Sequence, residues 1–287
     1  MQTNIPSHKT ARLTGRGRLA LVVSGAVLAG AAVAVPLLTL NSEAPARTRT
    51  LVVPPGWRAS QVFAAVDKVL ALPAGSTRDS VAKGGLKLPS AAQGNPEGYL
   101  FPATYPVDDK ATPTSLLAAM VDRADQKFGG APVAAGAPRE SMNLYQAITA
   151  ASVVQAESVA KADMPKVARV ILNRLAHGMP LQMGSTLNYG LNRSLAPLDA
   201  NAVRMDSPYN SFQRMGLPPT PIDSPGDDAM HAVLHPAPGD WLYFVTVGPG
   251  DTRFTADYAE HQRNAAEFAA RQQSMTRPAS KSPQPKR

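Results

Sequence analysis

Residues 19–40, LALVVSGAVLAGAAVAVPLLTL, run for 22 positions without a charged side chain. As a helix the stretch would reach roughly 33 Å, enough to cross the hydrocarbon core of a bilayer. A soluble helix of that length normally keeps a polar face, so a membrane-spanning helix is the first expectation. Lys9, Arg12, Arg16 and Arg18 stand just ahead of it. Basic flanks stay on the cytoplasmic side, which puts residues 1–18 in the cytoplasm and everything after Leu40 outside the cell membrane. Ala32-Val33-Ala34 would also suit a signal-peptidase site. The apolar run is longer than a signal-peptide core, and a single-pass, uncleaved anchor over 19–40 is the reading adopted.

Charge follows the same division. Residues 1–50 carry six basic groups against Glu43, and residues 271–287 carry five with no acid. The stretch between them holds 18 basic and 20 acidic residues. A nucleic-acid-binding core needs its positive charge on the folded part, where phosphates are tracked, so no nucleic-acid partner is expected. The chain has no cysteine, which excludes disulfides, thiolate metal sites and cysteine nucleophiles.

Beyond a polar spacer at 41–50, Leu51–Val53 reads as a strand closed by Pro54-Pro55-Gly56, and Ala59–Leu72 as a helix. Residues 73–94 show no clear period. Leu116, Leu117, Met120, Val121, Ala124 and Phe128 keep helical spacing and predict a helix over Thr114–Phe128. Gly129–Pro138 reads as a linker, and Asn143–Val159 as a mostly apolar helix. Asp163 is expected to cap a following helix, with Pro165 in its first turn, Val167, Ile171 and Leu175 on one face and Gly178 as the stop. Met179–Ser207 looks irregular. Asp227–Leu234 forms a short helix. Trp241–Val247 is the best strand in the chain and is expected to be buried on both faces, with Arg253–Thr255 returning beside it. Thr255 then caps a helix to Gln272, and residues 273–287 read as a disordered basic tail.

Phosphate-cradling and nucleophile-elbow motifs are absent. His231 and His235 are four apart, but Ala232 stands where a zincin needs Glu, and nothing ties His261 to the pair. No metal and no cofactor are expected. Glu157 is more informative. It sits late in the helix NLYQAITAASVVQAESV, on the stripe of Ala150, Val153 and Val154. A lone carboxyl at the end of an apolar stripe is partly desolvated, which favours its protonated form, the state of a general acid. Spacing alone favours the plainer reading, an exposed glutamate where the helix leaves the core, because most glutamates are surface residues. Polar and aromatic clusters follow it: Asn173-Arg174, Gln182, Thr186-x-x-Tyr189 and Ser207-Pro208-Tyr209-Asn210. Such groups on loops grip sugars by stacking and directional hydrogen bonds, and their concentration in 179–225 suggests a cleft.

PEGYLFPATY (96–105), ASVVQAE (151–157), VARVILNRLAHGMPLQ (167–182), DSPYNSF (206–212), GLPPTPIDSPG (216–226), WLYFVT (241–246) and Glu260-His261 resemble, in order and spacing, the endolytic murein transglycosylase family (MltG/YceG-like). The resemblance covers 95–270. It implies a membrane-anchored α+β protein whose extracytoplasmic catalytic domain (95–272) cuts the MurNAc–GlcNAc β-1,4 bond of peptidoglycan and leaves 1,6-anhydro-MurNAc ends. The family's catalytic glutamate falls on Glu157. Asn173, Gln182, Tyr189, Tyr209, Asn210 and Glu97 become the expected glycan-contacting residues. Peptidoglycan strands, the membrane and peptidoglycan synthases are the implied partners.

Three positions depart from the family pattern. Gln155 stands where a further Glu is common, Gly184 where Asp is frequent, and Thr220 where Gly is common. The segment 51–94 resembles only the later half of a LysM-like module. These departures motivate a rival expectation, a non-catalytic glycan-binding or divisome scaffold with a degenerate site. A zinc amidase is the third and weakest reading.

Overall fold

The computed structural model describes residues 49–130, 142–194 and 197–276. The expected anchor at 19–40, nearly all of the spacer, most of the 129–138 linker and most of the tail lie outside the described residues. Among the described residues, no helix is long and apolar enough to cross a membrane.

The chain enters on strand β1 (Arg49–Val52), whose antiparallel partner is β2 (Thr104–Val107), with Leu51 opposite Tyr105. Between them lie helix α1 (Ala59–Val69), helix α2 (Ser76–Ala82) and a single 3-10 turn at Ser90–Ala92. The segment 51–94 is stitched to the rest by this strand pairing. Leu51, Val53, Val62 and Val66 enter the same core as Leu117, Ile148 and Val233, and the described residues form one compact unit.

Helix α3 (Pro113–Phe128) begins with Thr112 accepting from the Ser115 amide at 3.1 Å and with Pro113 at its first position, where no amide hydrogen is needed. Helix α4 (Leu144–Glu157) starts with a reciprocal cap. Asn143 Oδ1 accepts from the Gln146 amide and Gln146 Oε1 accepts from the Asn143 amide, both at 2.9 Å. Residues 147–154 of α4 are buried on every side, as a helix without a polar face must be. It runs through the middle of the core, packed against α5 (Met164–Ala176) and α8 (Asp227–Leu234). At Ser158 the backbone turns extended (φ −91°, ψ 117°), which ends the helix on Glu157.

Asp163 immediately precedes α5 but its side chain makes no cap bond. It lies in a 3-10 turn, in a right-handed helical conformation that suits no N-cap acceptor. The stretch expected to be irregular contains two short helices, α6 (Gly184–Gly190) and α7 (Ala200–Val203). Strand β3 (Tyr243–Gly248) pairs with β4 (Asp251–Thr255), with Phe244 opposite Phe254 and an irregularity between Thr246 and Gly248. Only Val247 of β3 is fully buried. Helix α9 (Tyr258–Thr276) covers the two-stranded ribbon broadly, while α5 reaches it through few residues, Arg174 over Tyr243 among them, so the other residues are half-covered. Asp257, not Thr255, caps α9: its Oδ1 accepts from the Ala259 amide at 2.7 Å, while Thr255 Oγ1 accepts from the Asp257 amide.

Candidate active site

Because residues 147–154 of α4 are buried, with the Thr149 and Ser152 hydroxyls turned back onto the helix's own carbonyls, and the helix stops at Glu157, the glutamate is delivered to the end of a rigid, buried rod. Its carboxyl meets the first turn of α6, where the amides of a helix have no partner within the helix. The Ser185 amide donates to Glu157 Oε1 at 3.0 Å. The residue keeps part of its surface open to a cavity of about 400 Å³. Burial raises the Glu157 pKa above the usual carboxylate range, and the Ser185 hydroxyl and amide act against that rise. The Ser185 hydroxyl itself is buried and reaches no full hydrogen-bond geometry. It faces the carboxyl as a donor in reserve.

Arg174 of α5 organises the cavity wall. It is only 5% exposed. Its Nε donates to Leu242 O at 2.6 Å, and its Nη1 donates to Pro180 O, Leu181 O and Gln182 Oε1 at 3.0, 3.0 and 2.9 Å. The guanidinium lies over the Tyr243 ring, 5.0 Å from its centroid. His261 of α9 stacks on the same ring at 5.1 Å and 22°. Burial, followed by the Arg174 charge, lowers the His261 pKa and favours the neutral imidazole. Phe212, Phe244 and Tyr258 complete an aromatic lining. Among the described residues, Glu157 is the only acid lining this cavity.

The expected contact residues part company here. Gln182 lines the Glu157 cavity, held with its backbone at φ 53° and its Oε1 committed to Arg174. Asn173 faces elsewhere: its Nδ2 donates to Gly239 O and Trp241 O, and it lines a separate cavity of about 720 Å³. Tyr209 packs on Tyr189 with centroids 5.0 Å apart, exchanges a hydrogen bond with Thr220 Oγ1 at 2.9 Å, and lines a third cavity of about 420 Å³. Asn210 is fully buried, with its Nδ2 donating to Val203 O and Met205 O and its Oδ1 accepting from the Phe212 amide. A side chain so committed holds its own loop and has nothing left for a glycan. Glu97, 4% exposed, is likewise internal: it accepts from the Ala59 amide at 2.9 Å and the Tyr189 hydroxyl at 3.0 Å.

Sequence reasoning did not single out Ser185, Phe212, Tyr243 or Tyr258, and it considered His261 only as a metal ligand. The signal for His261 was its place in the Glu260-His261 pair; for Ser185, a backbone contact, there was none. Gln155 is structural, its Oε1 accepting from the Gly226 amide at 3.2 Å. His231 and His235 pack against each other, tilted by 43° with centroids 4.5 Å apart, and among the described residues no three His, Asp or Glu side chains are grouped as metal ligands would be.

Fold and site together define a class, an α+β protein that presents one desolvated glutamic acid at the end of a buried helix to a polar, aromatic-walled cleft. Within that class the chain belongs to the YceG-like family, whose model matches residues 29–267. It is 34% identical over 168 residues to an endolytic murein transglycosylase of Bacillus subtilis, covering 58% of this chain and 46% of that one. It is 35% identical over 184 residues to one of Streptococcus pneumoniae, covering 62% of this chain and 33% of that one. The chain thus spans less than half the length of these relatives. Its fold is similar to the crystal structure of a YceG-like protein of Listeria monocytogenes, with a TM-score of 0.64 and 26% identity over 75% of each chain.

Proposed function

We propose that this chain is an endolytic lytic transglycosylase acting on the MurNAc–GlcNAc β-1,4 bond of peptidoglycan, with Glu157 as its one acid and base. The observation that carries the reading is the solitary desolvated carboxyl of Glu157 in an aromatic-lined cavity. Hydrolytic glycosidases generally need two carboxyls, the second to activate water or attack the sugar. A transglycosylase that uses the substrate's own hydroxyl needs only one.

In this mechanism protonated Glu157 gives its proton to the glycosidic oxygen as the C1–O bond breaks, releasing GlcNAc with a free 4-hydroxyl. The Ser185 amide, already on Oε1, stabilises the carboxylate just formed, and the Ser185 hydroxyl can turn toward the same charge. The carboxylate then takes the proton of the MurNAc C6 hydroxyl while O6 attacks C1. That closes the 1,6-anhydro ring and restores the acid, with no water consumed. Neutral His261, Gln182 and the aromatic wall supply stacking and hydrogen bonds to the sugars on either side.

The same reading makes residues 19–40 a single-pass anchor, with the folded unit outside the cell membrane, working on glycan strands beside the synthases that make them. The test is digestion of purified peptidoglycan by the full chain, read by mass spectrometry. We expect anhydro-terminated fragments, and none from Glu157→Gln. Reducing ends would make the protein a hydrolase. Glycan capture without cleavage, by wild type and variant alike, would make it a binding scaffold.

A further inference from the structure

We propose that Glu97 is a positioning residue for this reaction: by holding Tyr189 it fixes helix α6, and with it the Ser185 amide on Glu157. The inference rests on the reading of Glu157 as the acid. Glu97 stands outside the Glu157 cavity, so its influence passes through α6.

Helix α6 has seven residues, far too few to be stable by its own hydrogen bonds. Its place is set by what grips its two ends. At the first turn the Ser185 amide meets Glu157, and Thr186 Oγ1 donates to Met183 O at 2.9 Å. At the last turn the Tyr189 hydroxyl donates to Glu97 Oε2 at 3.0 Å. The two carboxyls therefore hold opposite ends of one rod about 10 Å long. A tilt at one end moves the amide at the other.

Glu97 is a fixed post. Its own amide donates to Asn95 Oδ1 at 3.0 Å, and its Oε1 accepts from the Ala59 amide, an otherwise unpartnered donor in the first turn of α1. The Tyr189 ring is boxed in by Tyr209 on one side and by the Arg58 guanidinium, 5.1 Å from its centroid. Gly190 makes this approach possible, since a Cβ there would come within 2.7 Å of Tyr209 Cβ and 2.8 Å of Ser207 Oγ. The hydroxyl of Tyr189 thus donates to Glu97, with the Thr220 hydroxyl as a second neighbour, and Glu97 is anchored to the N-terminal segment. Glu97 joins α1, the loop of residues 96–101 and α6 at a single carboxyl.

The experiment compares wild type, Tyr189→Phe, Glu97→Gln and the double variant in the full chain. Tyr189→Phe removes one oxygen and keeps the ring packing, so it remains informative if a Glu97 variant folds poorly. We expect kcat to fall roughly tenfold in Tyr189→Phe with KM unchanged, and the double variant to lose no more than the worse single one. In chains labelled with ¹⁵N-serine, the Ser185 amide resonance, assigned by its loss in Ser185→Ala, is expected to shift in Tyr189→Phe. An unshifted Ser185 amide would overturn the proposal, as would a raised KM at constant kcat, which would mark direct glycan contact. The resonance is read without turnover. Wild type that makes no anhydro ends would sink the functional reading, while the amide shift still decides the linkage between Glu97 and Glu157.

Discussion

The Ser185 amide aims its hydrogen at Glu157 Oε1 across 3.0 Å, from the first turn of α6. A donor at that point favours the charged carboxylate, while burial favours the acid. The catalytic step needs the acid form, so turnover is expected to be full at pH below the Glu157 pKa and to fall as pH rises through it. Ser185→Ala removes the hydroxyl that opposes the rise but keeps the amide. The alkaline limb of kcat is then expected to move to higher pH. The charged and titratable neighbours around the cavity, Arg174, His261, Tyr243 and Tyr258, are the same in both proteins. A limb that stays put or moves down in Ser185→Ala would contradict this assignment.

Glu97 links folding to pH in a second way. Burial lifts its pKa from 4.5 to about 7, against the pull of the Ala59 amide, the Tyr189 hydroxyl and Arg58. Asp223, buried with Oδ1 unpartnered, is also raised, first by burial and then by Glu97. A carboxyl with a folded pKa above its unfolded one binds its proton more tightly when folded. The associated stability is present in full below about pH 4.5 and is lost as pH rises through about 7. The swing for Glu97 is on the order of 3 kcal/mol. Thermal melts at pH 5 and pH 8 should show a smaller difference for Glu97→Gln than for wild type. Equal differences would mean that Glu97 does not titrate in this window.

Gly184, where the family frequently has Asp, is the first residue of α6 and has room for a side chain. A Cβ there meets only Leu198 Cδ1, at 3.8 Å. Gly184→Asp should stabilise the fold by roughly 1 kcal/mol, by removing a helical glycine and placing a negative charge at a helix N-terminus. The new carboxylate beside Ser185 should also push the Glu157 pKa further up, extending activity toward alkaline pH. A urea titration and a pH–rate profile of the variant check the two parts separately.

Helices α3, α4 and α5 were legible because their apolar residues recur with helical period or fill every face. Glu157 was legible as the polar residue ending such a stripe. Helices α6 and α7, with seven and four residues, are too short to show any period. Asn210 and Glu97 misled for a different reason. A buried polar residue whose partners are backbone groups, or residues distant in sequence, has the same local signature as one that awaits a ligand. Arg174 shows the same effect: next to Asn173 it looks like helix surface, and only the fold brings Pro180, Leu181, Gln182 and Leu242 around it.

That surrounding makes Arg174 the position where charge and shape can be separated. Lysine keeps the positive charge but offers one nitrogen where arginine uses Nε and Nη1 on two sides. Arg174→Lys must then leave Leu242 O, or one or more of Pro180 O, Leu181 O and Gln182 Oε1, without a donor in a buried place. Each orphaned acceptor costs about 1–3 kcal/mol, and the contact of the guanidinium with the Tyr243 ring is lost as well. We expect Arg174→Lys to lower unfolding stability by about 3 kcal/mol and to reduce kcat/KM by more than tenfold, because residues 181–183 and β3 form two walls of the Glu157 cavity. Arg214 provides the contrast: its pair with Asp206 at 2.7 Å is largely exposed on both sides, and its fork has one further acceptor, Ser207 O at 2.9 Å, so Arg214→Lys should lower stability by only about 1 kcal/mol. Urea denaturation of both variants decides the matter. Equal losses at the two sites would mean that the charge of Arg174, and not its fork of donors, holds the cavity wall.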